Sequence, residues 1–264
     1  MKKILAFVLA VAMIASVAVL AGCGNGSTNA TDAATADSSK PVLTMATNAS
    51  FPPYEMKEDG ETVVGIDAEI AAAIAEKLDM TLEIVDIEFG AIIAGVQSGK
   101  YDMGMAGMTV TEERLESVNF STTYATGVQV IIVPEGSEIK SFDDIAAGEY
   151  KVGVQLSTTG DIYASDDLAD SKSEVVEYET GNDAVAALVS KKVDAVIIDN
   201  EPAKSYVAAN EGLKILDTDY VTEEYAICVA KENTELLDKI NAALKDLIAD
   251  GTVKSIIDKY ITAE

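Results

Sequence analysis

Histidine and tryptophan are both absent from this 264-residue sequence, and it holds only two cysteines. Without an imidazole there is no Ser-His-Asp set, no Cys-His pair and no histidine metal site, which removes a large share of hydrolase chemistry. Two cysteines, Cys23 and Cys228, make no disulfide framework, so the core must come from packing. Cys228 lies in the apolar stretch Ala226-Ile227-Cys228-Val229-Ala230 and reads as a small core residue. Positive charge is scarce: 19 basic residues stand against 45 acidic ones, a formal charge of −26. Such a surface repels nucleic acid and anionic lipid, and most of its carboxylates serve solubility outside a cell. No metal and no organic cofactor is implied.

What is present begins with a start unlike the rest. Lys2 and Lys3 precede an apolar run from Ile4 to Leu20, broken only by Ser16, and small residues then lead to Cys23. That is the layout of a secretory signal covering residues 1–22. The run also has the length of a short membrane helix, but a cysteine and a polar tail follow it. Leu20-Ala21-Gly22-Cys23 resembles the lipobox of bacterial lipoproteins. The resemblance implies cleavage before Cys23 and a diacylglycerol on its thiol, an anchor that needs no spanning helix. Residues 23–40 then form the lipidated cysteine and a tether of Gly, Asn, Ser, Thr, Ala and Asp, too polar to offset chain entropy by burial.

From Val42 onward short apolar strands alternate with amphipathic helices, the pattern of an α/β fold. Strands are expected at 42–47, 81–87, 101–106, 127–133, 151–154, 175–178, 193–198 and near Ile215, with a further segment at 225–230. Helices are expected at 67–78, 89–98, 112–117, 142–145, from 159, and at 182–190, 202–210, 235–249 and 253–260. One stretch has an internal echo. Residues 92–105 align without gaps on 184–197, each reading as apolar helix, Ser-x-Lys turn, Asp and buried strand. Two lobes of one architecture would put Gly107 and Asp199 just past equivalent strand ends, where open α/β sheets bind ligands.

The chemistry concentrates at those ends. Arg114 is the only arginine, and its rigid fork can hold a carboxylate through two parallel bonds. It follows Gly107-Met108-Thr109-Val110-Thr111, a strand end and turn opening a helix, where free amides suit an anion; a surface ion pair with Glu113 or Glu116 fits the same residues. Asp199 ends the strand Val193–Ile198 beside apolar walls and calls for a cation, or else caps the helix at Pro202. Thr158, Thr159 and Gly160 open another helix as a second anion cradle, or as ordinary caps. Phe51, Tyr54 and Phe89 stand on turns after strands, as walls for a ligand side chain or as core. Together these residues describe a clamp for a zwitterion, carboxylate to Arg114 and ammonium to Asp199.

Ala46-Thr47-Asn48-Ala49-Ser50-Phe51-Pro52-Pro53-Tyr54-Glu55, Gly65-Ile66-Asp67 and the run Ala106 to Arg114 resemble the family 3 extracellular solute-binding proteins, the polar-amino-acid receptors of ABC importers. The likeness continues through Val152-Gly153-Val154-Gln155, Ser157-Thr158-Thr159-Gly160 and Val193 to Asn200 in the same order. It implies a two-lobed type II periplasmic-binding-protein fold with a cleft between the lobes and a two-strand hinge. Lobe one would be 41–125 with 225–264 and lobe two 128–220, with crossings near 124–128 and 221–225. By position Arg114, Thr109 and Thr159 would hold the carboxylate, and the Gly107 carbonyl and Asp199 the ammonium. Phe51 and Phe89 would flank the side chain, with Asn48, Glu55, Gln155, Thr158 and Glu224 near it. Many relatives carry an acid where Asn48 stands; Glu88 and Glu224 would supply the missing negative charge for a cationic side chain. The implied role is capture of a free amino acid, with a cationic or amide side chain favoured, and its delivery to importer subunits from the outer face of a bacterial membrane. The competing readings are a cyclohexadienyl or arogenate dehydratase of the same fold, with Glu55 or Glu88 as general acid, and an extracellular sensor.

Overall fold

The computed structural model describes residues 40–217 and 220–261. The expected signal segment, Cys23 and the tether up to residue 39 lie outside the described residues.

The chain opens with β1 (Val42–Thr47) and a small hairpin sheet, β2 (Ser50–Phe51), β3 (Glu55–Glu58) and β4 (Thr62–Val64). Then come α1 (Ile66–Lys77), β5 (Thr81–Asp86), a 3-10 turn (Phe89–Ala91) running into α2 (Ile92–Gln97), β6 (Met103–Gly104), α3 (Glu112–Ser117) and β7 (Val118–Phe120). A long strand β8 (Ala125–Pro134) leads to α4 (Phe142–Ala147), β9 (Lys151–Gln155), α5 (Thr159–Asp167), β10 (Glu174–Tyr178), α6 (Gly181–Val189), β11 (Ala195–Asp199), α7 (Asn200–Ala209) and β12 (Leu213–Ile215). The chain returns through β13 (Val221–Tyr225) and β14 (Cys228–Ala230) to α8 (Thr234–Ala249) and α9 (Thr252–Tyr260).

The strands build two lobes around two sheets. The first sheet runs β5-β1-β6-β14-β7 and the second β10-β9-β11-β8-β12, with β13 paired to β8. In each, a parallel trio of the same order comes from one β-α-β-α-β run, and an antiparallel strand follows it: β14 beside β6, β8 beside β11. The internal echo is this shared unit, since α2–β6 and α6–β11 occupy matching places. Each sheet's antiparallel strand lies across the chain from its trio: β8 precedes the second trio and β14 follows it. The chain therefore passes between lobes at two adjacent segments, and there β13 pairs with the start of β8, Tyr225 opposite Ala125 and Val221 opposite Gln129.

Both sheets are covered on both faces, as parallel sheets require. On the first, Leu43, Met45 and Met103 pack on α1 and α8, while Ala46, Met108 and Cys228 meet Ile92 and Val96 of α2. On the second, Val152, Val154 and Ile197 meet α5 and Val196 and Ile198 meet α6 and α7. Helix ends follow local chemistry: Ser141, Thr158 and Thr180 each accept a backbone amide at the start of α4, α5 and α6. α8 buries Ile240, Ala243, Leu244 and Leu247, one stripe at helical spacing. Among the described residues no helix is long and apolar enough to cross a membrane.

Three expectations change. The helix expected over 89–98 starts with a 3-10 turn, and the strand expected over 101–106 is cut to Met103–Gly104, because the following backbone turns to meet the neighbouring sheet edge. The β2–β4 hairpins were not anticipated, since Glu55–Glu58 and Thr62–Val64 are too polar and short to read as strands. Replacing Ile74 of α1, wholly buried in the main core, with alanine should destabilise the protein by about 2–5 kcal/mol. Urea unfolding of Ile74→Ala checks this; a loss well under that range would mean the site collapses around the void.

Candidate functional site

The two sheets present strand ends to each other across a cavity of about 310 Å³. From the first lobe its wall takes Asn48, Phe51, Glu55, Phe89, Ala106, Gly107, Thr109 and Arg114; from the second, Gln155, Thr158, Thr159 and Asp199. Eleven of the twelve residues singled out as ligand-contacting thus meet around one space.

Glu224 is not among them, and this corrects the sequence reading. On a strand, alternate residues face opposite ways. Glu223 and Tyr225 of β13 point inward and are buried, so Glu224 points to solvent. Glu88, the other acid offered for a cationic side chain, is also exposed; its proton affinity is raised, first by partial desolvation and then by Glu179.

Arg114 sits where the turn after β6 enters α3. Thr111 caps this helix through its side chain, which fixes the first turn and turns the guanidinium inward. Arg114 is buried, donates Nη1 to the Thr109 carbonyl at 2.8 Å and Nη2 to the Ser157 carbonyl at 3.1 Å, and lies 5.4 Å from the Phe89 ring centre. Among the described residues the ion pairs are made by lysines, so the expected alternative of a surface pair with Glu113 or Glu116 does not form. Burial pulls its proton affinity down from the ordinary arginine value, opposed first by Glu223.

Gly107 follows β6 with φ +52, and a β-carbon there would fall 2.7 Å from the Phe51 ring, so the position needs glycine on both counts. Its amide donates to Asp67 Oδ2 at 2.8 Å, and Tyr124 Oη donates to the same oxygen at 2.9 Å. Asp67 begins α1 but caps nothing; it is fully buried behind the wall. Beside it, both oxygens of Glu55 and Asp67 Oδ1 lack a donor when both carboxyls are ionised. A proton retained by Glu55 and donated to Asp67 satisfies this contact. Burial first, then Asp67, pushes Glu55 well above the carboxylate range, while burial raises Asp67 to about 6 against its hydrogen bonds. Glu55 therefore meets the cavity as a neutral acid.

On the opposite lobe Asp199 ends β11 and occupies the N-cap position of α7 without making a side-chain cap, so the capping alternative fails. Its Oδ2 accepts from Gln129 Nε2 at 2.8 Å and its Oδ1 from Tyr225 Oη. Burial, then Glu223, raises it to about 7, against the hydrogen bonds from Tyr225 and Gln129. Thr158 caps α5, accepting from Asp161 N at 3.3 Å and donating to the Gln155 carbonyl at 2.7 Å, so its hydroxyl serves the helix start.

Contacts between the lobes rim the cavity. Thr109 Oγ1 and Thr159 Oγ1 stand 3.5 Å apart, Gln155 Nε2 donates to Asn48 Oδ1 at 3.0 Å, and Tyr206 Oη donates to the Ser50 carbonyl at 2.5 Å. Asn48 Oδ1 also accepts from Ser50, and its Nδ2 donates to the Ile87 carbonyl, so most of its bonding capacity holds the rim. Gly127, where β8 leaves the first lobe, passes so close to Tyr225 that a β-carbon would lie 2.0 Å from the phenol oxygen.

Asp67, Tyr124, Gln129, Glu223 and Tyr225 were missed as site residues. The period-two pattern Val221, Glu223, Tyr225 was the available signal for two of them. Gln129, inside an apolar strand, was readable only as a lone polar residue.

Two similar α/β lobes enclosing a charged, buried cavity at their strand ends define a two-lobed solute-binding protein. The family model for bacterial extracellular solute-binding proteins, family 3, matches residues 43–263, and the chain belongs to that family. It is 31% identical over 247 residues to the arginine-binding extracellular protein ArtP of Bacillus subtilis (strain 168), covering 93% of each chain. Among solved structures it resembles an ancestral arginine-binding protein bound to arginine, with TM-score 0.80, 39% identity and 84% and 99% of the two chains covered. An ancestral arginine-binding protein bound to glutamine gives TM-score 0.79 and 39% identity over 85% and 99% of the two chains. An ancestral amino acid-binding protein described as a precursor of cyclohexadienyl dehydratase gives TM-score 0.77 and 32% identity over 83% and 95%.

Asp67 and Asp199 hold their protons more tightly when folded than when unfolded. Between roughly pH 4 and 7 the folded state binds more protons, so the stability they contribute is complete below the unfolded values and is lost as pH rises through about 6 and about 7. The ligand-free protein should melt higher at about pH 5 than at about pH 7.5, with a shallower difference in Asp199→Asn. Calorimetry across that range checks it; equal slopes in both proteins would show that Asp199 is not titrating there.

Proposed function

We propose that this protein is a lipid-anchored receptor that captures one free amino acid, with a cationic or amide side chain, and delivers it to an ABC importer. The observation that carries this is the pairing of Arg114 and Asp199 on opposite walls of one cavity. A zwitterion laid between them gives its carboxylate to Arg114, Thr109, Thr159 and the start of α5, whose dipole favours an anion. Its ammonium meets Asp199 and the Gly107 carbonyl. Three or four charge-assisted bonds of about 1.5–3 kcal/mol each, less desolvation and ordering, support affinity near micromolar, about −8 kcal/mol. Phe51 and Phe89 flank the side chain, and Glu55, Asn48 and Gln155 face it. As a neutral acid whose proton is directed to Asp67, Glu55 can accept from an amide N–H or from a guanidinium, in keeping with relatives described as bound to arginine and to glutamine.

The paired segments β8 and β13 serve as the hinge about which the lobes close, with the contacts from Ser157, Thr159, Gln155 and Tyr206 to the first lobe formed on closure. Cys23 carries the lipid that keeps the receptor beside its importer.

The dehydratase reading has one observation in its favour: Glu55 lines the cavity and keeps its proton. Receptor function predicts that arogenate is not turned over.

Titration calorimetry of ligand-stripped protein against the common amino acids should find one chemical group binding tightly, and Arg114→Ala should weaken it at least a hundredfold, about 2.7 kcal/mol. Arg114→Lys should recover part of that, since it keeps charge without the fork. No binding to any amino acid would sink the receptor reading. For the anchor, the wild-type chain expressed in a bacterium should partition into detergent and Cys23→Ser into the aqueous phase; aqueous partition of both would remove the lipid.

A further inference from the structure

Asp199 has a second acid behind it. Gln129, in the middle of β8, donates Nε2 to Asp199 Oδ2 at 2.8 Å and to Glu223 Oε2 at 2.9 Å. Asp199 is 6% exposed and Glu223 4%, so water screens neither. The amide serves each carboxyl with one N–H, but it carries no charge and neutralises neither. Glu223 Oε1 is buried with no donor, and Gln129 Oε1 has none either. The groups facing the pair are Tyr225 and Tyr54, Glu55, Tyr163 of α5, and Arg114. Only Arg114 is cationic, and its fork is already directed to the Thr109 and Ser157 carbonyls.

Two ionised carboxylates held on one amide in a dry site repel strongly, and a single proton between them removes the repulsion. We propose that Glu223 is a positioning residue for the ammonium clamp: held on the same Gln129 amide, it keeps a proton on Asp199 in the empty site, and an arriving α-ammonium displaces that proton. The only covalent bond broken is the carboxyl O–H. The proton passes to solvent, the ammonium keeps its own protons, and Asp199 becomes the carboxylate that holds it. One cation replaces another, so the charge enclosed in the wall is conserved. Capture is then weakened by acid, which protonates the clamp. This rests on the amino-acid reading above, and it gives Glu223 a task that packing alone would not.

The test is calorimetry of L-arginine and L-glutamine binding at about pH 6.5 in two buffers of different protonation heat, with wild type and Glu223→Gln. In wild type the observed heat should depend on the buffer and report proton release, approaching one per ligand as pH falls, with Kd rising by up to about tenfold per pH unit. In Glu223→Gln proton release should shrink and the pH slope of Kd should flatten. Binding with buffer-independent heats in wild type overturns the inference and leaves the receptor standing; so does equal proton release in both proteins. Failure of both amino acids to bind counts against the receptor reading instead. The carboxyl ¹³C titration of ligand-free protein, with Asp199 assigned by its loss in Asp199→Asn, still decides the pair. A value raised in wild type and lowered in Glu223→Gln supports it, and an ordinary value in wild type overturns it.

Discussion

Four carboxyl groups, Glu55, Asp67, Asp199 and Glu223, are enclosed around a space that holds one guanidinium. Burial makes each expensive to ionise, and the molecule meets that cost in two ways. Oriented donors face Asp67 and Asp199: the Gly107 amide and Tyr124 for the first, Gln129 and Tyr225 for the second. Protons serve where donors run out, as between Glu55 and Asp67. The cavity therefore carries a buried guanidinium on one wall and the buried Asp199 carboxyl on the other.

The topology explains how such a site can be built and still exchange its contents. Each lobe is a β-α-β-α-β unit completed by an antiparallel strand, with a smaller buried cluster of its own and a larger one that continues through both. The strand ends carry the chemistry because there the sheet hydrogen bonds stop and the next turn or helix begins, leaving backbone groups and short side chains free to face the cleft. The direct bonds between the rims are single side-chain hydrogen bonds.

Much of this was legible in the chain. The strand Val42–Thr47 and the helix Glu112–Ser117 match their expected bounds because apolar runs and a Thr cap mark them locally. The short hairpin strands were not legible, because their pairing depends on neighbours rather than on hydrophobic pattern. Among site residues, those on glycine-rich or threonine-rich turns after apolar strands could be read. Glu224, placed near the ligand by the resemblance, faces away, because only the strand's pairing against β8 and its burial show that Glu223 faces in.

The sequence by itself determined the exclusion of histidine chemistry, the alternation of strands and helices, the repeated unit and the lone arginine, all properties of local order and composition. Only the tertiary structure decided that Glu55 meets Asp67, that Gln129 lies between Asp199 and Glu223, and that Asp199 caps nothing. Those contacts join residues far apart in the chain, and their energies come from burial, which no single segment contains.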